Sequence, residues 1–335
     1  MFGFLFGKKK TPSIEHKAAT SGLNWRQSKP HLQLLSRFVY PSERKTWITP
    51  AWNNVLGESS ETAINRFLSE QHLIPATLES KISCSLNTSD LKSLLKDYAL
   101  PVSGNKEVLI KRLLAAAPDK MEHKVAHLEL FECSTEARLI VDNYLKNTLN
   151  EKRIVEKESL SCLRTKNFKK AIEVINNYES HQVFPRGVGI DWSKKDTTYD
   201  VFIIETIFSS YPKILDGLEK NEWEPLRMAT AMMHLWGTNS VRQWLPSDFI
   251  GVSKFNSDTA ARMLLFYAQG LRDIAGFRLA GIKEVKISRA NTSPCEICQK
   301  FTDKAMSIEK LPELPNPACI HQMGCRCIYE PVFDS

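Results

Sequence analysis

The 335-residue chain has no apolar run near the roughly 20 residues that a membrane helix needs, so no stable membrane insertion is expected. Nor does it show a P-loop, a nucleophile elbow, an HExxH pair or the paired histidines of an HNH-type nuclease. No catalytic residues are therefore assigned. A secretory leader places its charges before its apolar stretch; here Phe2–Phe6 precedes Lys8, Lys9 and Lys10, which predicts a mobile tail. A one-sided charge excess is also missing from most of the chain. Residues 118–335 hold 29 basic and 29 acidic side chains.

The surplus of positive charge lies in the first third. Residues 1–84 carry 11 Lys and Arg against 6 Asp and Glu, and residues 85–117 carry 5 against 3. A basic region on an otherwise neutral protein suits a polyanionic partner. Eight cysteines are present, and five (Cys295, Cys298, Cys319, Cys325, Cys327) fall within the last 41 residues. Such clustering favours metal ligation in a reducing compartment over a disulfide framework.

Patterning predicts a mainly α, multi-domain helical protein with minor β strands. Residues 1–45 read as a basic, loosely structured tail with anchoring aromatics. Over 46–84, Ser59-Ser60-Glu61 opens a helix carrying Ala63, Ile64, Phe67 and Leu68, and Pro75 starts a second one through Leu78 and Ile82. Residues 118–184 give amphipathic helices, one with Ala137, Ile140, Val141 and Tyr144, another with Phe168, Ala171, Ile172 and Ile175. No second copy recurs at a fixed period, so no solenoid is expected. Pro185-Arg-Gly-Val-Gly marks the boundary to a helical C-terminal domain, 185–335. Its helices carry Leu226–Trp236 and Ala260–Phe277; the strand Val285–Ser288 then leads into the cysteine cluster at 295–327. The Met and aromatic stripes read as core.

Residues 85–117 are the most informative stretch. Asn87 or Thr88 can cap a helix with Leu91, Leu94 and Leu95 on one stripe. Pro101-Val-Ser-Gly makes a turn in which Gly104 takes positive φ. Asn105 can cap a second helix whose Val108, Leu109 and Leu113 face the first. Two helices of this size bury little, so flanking helices must help. Lys92, Lys96, Lys106, Lys111 and Arg112 lie on the polar faces, and the second helix's N-terminus adds an anion-accepting nest. That assembly suits phosphate contacts more than a base-edge code.

Through Asp90-Leu91-Lys92, Leu94-Leu95-Lys96, Leu100, Ser103–Lys106 and Leu109–Leu113, this segment resembles a SAP domain, a small DNA-binding helix–loop–helix module. The match covers about a tenth of the chain. Ala99 departs from it, standing where the family usually has the glycine that ends the first helix. The resemblance implies Lys92, Lys96, Gly104, Asn105, Lys106, Lys111 and Arg112 as DNA-facing residues. RNA and protein contacts are not excluded.

In the cysteine cluster, Cys295-Glu-Ile-Cys298 is a knuckle directly after a strand. Tetrahedral zinc takes four N or S ligands, so a second pair must come from Cys319, His321, Cys325 and Cys327, with the choice open. Thiolates dominate the set, which predicts a closed structural zinc site. Glu296, Asp303 and Glu309 are nearby acids outside any catalytic motif. The strand, the CxxC, the Leu-Pro pairs at 311–312 and 314–315 and the final Gly-Cys-Arg-Cys also resemble the C-terminal end of phage head-morphogenesis proteins, hinting at a bacterial setting.

The expectation is thus a cytoplasmic DNA-binding protein, nucleoid-associated if bacterial, with zinc as structural cofactor and the C-terminal domain available to a protein partner. The alternatives are a DNA-processing enzyme with an unrecognised site in 185–335, or a head-morphogenesis-like assembly protein.

Overall fold

Polar side chains that cap free backbone N–H groups open many of the helices. Ser59 accepts from the N–H of Thr62, Thr77 from Ser80, Asn167 from Lys170 and Asn256 from Thr259. Each such cap contributes about 1 kcal/mol. The computed structural model describes residues 24–289, 295–300 and 304–333. The tail motif at Lys8–Lys10 and the acid Asp303 lie outside the described residues.

The chain forms two compact units, Met1–Asn150 and Glu151–Ser335. In the first, the helices are α1 (Lys29–Ser36), α2 (Pro50–Leu56), α3 (Ser60–Ser69), α4 (Leu78–Ser85), α5 (Thr88–Asp97), α6 (Lys106–Ala116) and α7 (Pro118–Val125). Strand β1 (Leu73–Pro75) pairs antiparallel with β2 (Phe131–Cys133), Leu73 opposite Cys133. The division falls within α8 (Thr135–Arg164). The second unit holds α9 (Phe168–Ser180), α10 (Thr198–Ser209), α11 (Trp223–Trp236), α12 (Ser257–Leu279) and the short α13 (Glu296–Gln299). Its sheet has strand order β4–β3–β5, all antiparallel, from β3 (Glu284–Ser288), β4 (Met306–Ser307) and β5 (Ile328–Pro331). The protein is thus mainly helical with small sheets.

The first unit has two cores. One gathers Trp25, Leu34, Leu35, Phe38, Ile64, Phe67 and the start of α8. The other joins α4 to α7 through Ile82, Leu91, Leu95, Leu109, Ile110, Leu113, Met121 and Val125. In the second unit, Ile203, Leu226, Met263, Leu264 and Ile287 join α10, α11 and α12 to the sheet. A further cluster packs α9 with α10 and α11.

Three local expectations differ. Part of the segment read as loose tail is ordered, since α1 buries His31, Leu34 and Leu35 completely. Pro75 ends β1 instead of starting a helix; its ring suits extended backbone, and Thr77 supplies the cap two residues later. Val108 is 42% exposed and does not face the first helix; Ile110 takes the core position in its place.

Candidate nucleic-acid interface and metal centre

Residues 85–117 form two helices joined by a braced turn. Asn87 Oδ1 accepts from the N–H groups of Ser89 (2.8 Å) and Asp90 (3.0 Å). Asp90 Oδ2 accepts from Asn87 N–H at 3.0 Å, closing a reciprocal capping box. Helix α5 therefore starts at a fixed place, with Leu91 and Leu95 fully buried on its inner face. Lys92 and Lys96 lie one turn apart, about 6 Å along the axis, and both are exposed.

The end of α5 is a Schellman arrangement. Ala99 N–H donates to Lys96 O at 2.9 Å and Leu100 N–H to Leu95 O at 2.8 Å. This requires a left-handed residue, and Ala99 takes it with φ +53°. The departure noted in the sequence thus falls where glycine would be unstrained. Gly104 adopts φ +122°, and a Cβ there would meet Val108 Cγ1 at 2.9 Å. Asn105 Oδ1 then caps α6 by accepting from Val108 N–H at 3.0 Å.

The basic candidates divide by what they touch. Arg112 donates to Ser103 O at 3.0 Å and to Pro101 O, so its guanidinium clasps the turn. Lys106 Nζ donates to Ser83 O at 2.6 Å, tying α6 to the end of α4. Lys111 pairs with Glu107 at 2.6 Å on an exposed face. The hydrogen bond and charge of that pair raise the Lys111 pKa and lower that of Glu107. Lys92 and Lys96 remain on the outer face of α5, with their charges directed to solvent. Sequence reasoning could not separate these roles, because each depends on where the turn brings its carbonyls.

The second site lies where β3, α13 and the approach to β5 converge. Cys298, Cys319 and Cys325 are buried, and Cys295 and Cys327 are half-buried. All five are free thiols. Two groups have mutually close sulfurs: Cys295, Cys298 and Cys319, and Cys298, Cys325 and Cys327, each within 4.8 Å. The Sγ atoms of Cys295 and Cys319 are 3.6 Å apart. A tetrahedral ion with Zn–S bonds of about 2.3 Å has ligand edges of about 3.8 Å, so the spacing fits shared coordination. His321 belongs to neither group; its Nδ1 accepts from Met323 N–H at 3.1 Å. Burial opposes ionisation of Cys295, yet the N–H groups of Cys298 and Ile320 bring its thiol down to about 7. Burial and then its neighbour Cys295 push Cys298 up, whereas at Cys319 the contact with Cys325 acts first and burial second. A dication supplies the charge that lets such a crowd ionise together. This cluster can hold a metal ion.

A third feature had no short motif to announce it. Asp200, 3% exposed, accepts from Lys195 Nζ at 2.6 Å and lies 2.9 Å from His234 Nε2. Asp191 caps its own turn through Ser193, and Asp248 and Glu296 are exposed. Glu309 pairs with Arg278 at 3.2 Å.

Comparison with family models returns the SAP domain over residues 85–117. These residues are a SAP domain. The chain as a whole matches no curated protein and no solved structure. The bacterial type and the head-morphogenesis likeness of the cysteine segment find no counterpart in these comparisons. The SAP assignment points to nucleic-acid binding, and the capped helices, the glycine turn and the basic faces belong to that domain. Helices α4 and α7 flank the matched residues and complete the SAP core. No described helix is long and apolar enough to cross a membrane.

Proposed function

We propose that this chain is a DNA-binding protein whose SAP domain contacts the phosphate backbone, with a structural zinc site in its C-terminal region. The observation that carries the first part is the outer face of α5. Lys92 and Lys96 project there from a helix whose start is fixed by a capping box and whose inner face is locked into the core. Two cations at this spacing on a rigid support meet phosphates with no backbone left to order. Lys111 adds a weaker contact, since Glu107 offsets its charge. Arg112 holds the turn in shape and Lys106 ties α6 to α4, with Gly104 and Asn105 setting the path of the turn. Contacts of this kind give little sequence discrimination.

The zinc reading rests on donor chemistry. Five thiols and no carboxylate make up the two groups, which favours a closed site for a thiophilic dication over a catalytic one with an open position. Zinc there would cross-link α13 to the segment before β5. A reducing, cytoplasmic setting suits the free thiols.

Hydrogen exchange of the full chain with and without a duplex tests the DNA reading. Slowed exchange confined to 88–112 supports it. Unchanged exchange there, at a duplex concentration that saturates binding elsewhere, would assign the SAP domain to protein contact or packing.

A further inference from the structure

Zinc takes four ligands, and the C-terminal cluster offers five thiols. The two groups of close sulfurs share one member, Cys298. It is the thiol within 4.8 Å of each of the other four. Among the described residues no group of three close donors omits it. Removing Cys298 therefore leaves no three thiols that all lie within 4.8 Å of one another. Removing any one of Cys295, Cys319, Cys325 or Cys327 leaves four thiols, including one intact group of three.

The surroundings agree. Cys298 is 3% exposed and receives a hydrogen bond to its sulfur from Asn316 Nδ2 at 3.8 Å. Cys295 and Cys327 are the half-buried pair, one from each group, and so lie nearer to solvent than Cys298.

We infer that Cys298 is the obligatory ligand of a four-of-five thiolate site and that the other four cysteines substitute for one another. The inference rests on the zinc reading above and extends it, since a site with a spare thiol keeps its metal when one outer cysteine is lost or oxidised.

The test uses cobalt(II) as the probe on the full chain, read by its thiolate charge-transfer and tetrahedral d–d bands, with metal per chain counted by native mass spectrometry. Wild type is expected to take up one ion. Cys295→Ser and Cys327→Ser are each expected to keep one ion and a tetrahedral spectrum, with affinity reduced by no more than about tenfold, or 1.4 kcal/mol. Cys298→Ser is expected to lose at least about a hundredfold. Comparing the melting of Cys298→Ser with that of metal-free wild type shows whether the loss is one of ligation, in which case the two coincide. A Cys298→Ser variant that binds like the other two, or a single outer change that abolishes uptake, overturns the inference while leaving the metal site standing. Wild type that takes up no metal overturns both.

Discussion

The turn between α5 and α6 carries a paired prediction with opposite signs at its two ends. Ala99 holds a left-handed conformation, φ +53°, in the seat that ends α5. An L-residue with a Cβ costs roughly 1–2 kcal/mol there, and glycine costs nothing. Ala99→Gly also frees the unfolded chain, which takes back roughly 0.4–1 kcal/mol. The net expectation is a stabilisation of about 0.5–1 kcal/mol. At the other end, Gly104 lies at φ +122°, and an added Cβ would sit 2.9 Å from Val108 Cγ1 and 3.2 Å from Val108 Cβ. The second of these atoms is fixed to the helix backbone, so rotating the side chain can relieve the first contact but not the second. Gly104→Ala should cost about 2 kcal/mol after the same correction, combining backbone strain with overlap. A chain with two units has no single unfolding free energy, and no tryptophan lies within 85–117. Local hydrogen exchange is therefore the assay. Peptides from 88–113 should exchange about two- to fivefold more slowly in Ala99→Gly and about thirtyfold faster in Gly104→Ala. Faster exchange in the first variant, or no change in the second, would refute the account of the turn.

Arg112→Ala should release the carbonyls of Pro101 and Ser103, raising exchange at 98–105 by about fivefold for a loss of about 1 kcal/mol, with α5 itself little affected. Burial pushes the Cys133 thiol up to about 12. Iodoacetamide at pH 8 should accordingly label exposed Cys84 and leave Cys133 unmodified, as read by peptide mass mapping. At Asp200 burial opposes the charge, but hydrogen bonds from His234 and Lys195 outweigh it and hold the carboxyl below its usual range. A carboxyl whose native pKa lies below its unfolded value stabilises the fold fully above about pH 4, and that contribution is lost as pH falls through the native value. Asp200→Asn should thus destabilise the second unit by about 3 kcal/mol at pH 7 and by less at pH 3, measured by hydrogen exchange of peptides from α10 and α11 at each pH, with rates corrected for intrinsic exchange.

Sequence pattern resolved what depends on local chemistry. The Ser59 and Asn105 caps, the apolar stripe on α5, the positive φ at Gly104, the long helix around Leu264 and the strand before Cys295 all follow from signals within a few residues of one another. The features it missed join distant segments. Strand β1 exists because Leu73 meets Cys133, 60 positions further along the chain, and no local periodicity encodes that. Helix α1 is held by Leu34 and Leu35 packing beside Phe67 and Val141, which a polar, basic stretch does not announce. For the SAP domain, the residue types of the basic face were legible and their partners were not. Arg112 and Lys106 look like surface cations in sequence, and only the fold shows that each also gives a hydrogen bond to backbone carbonyls, at Pro101 and Ser103 for the first and at Ser83 for the second. The metal cluster shows the same division, since spacing marked the five cysteines and the fold shows that Cys298 is a member of both groups.

The most direct test of DNA contact through the SAP domain is a titration of a fluorescent duplex at two salt concentrations, comparing wild type with Lys92→Ala/Lys96→Ala. Both substitutions lie on the outer face of α5, so the fold should survive them. Wild type is expected to bind in a salt-sensitive way, and the variant to bind more weakly with a salt slope reduced in magnitude by about two units, one for each lost phosphate contact. Equal affinity and equal slope for the two proteins, or no binding by wild type at low salt, would contradict such contact.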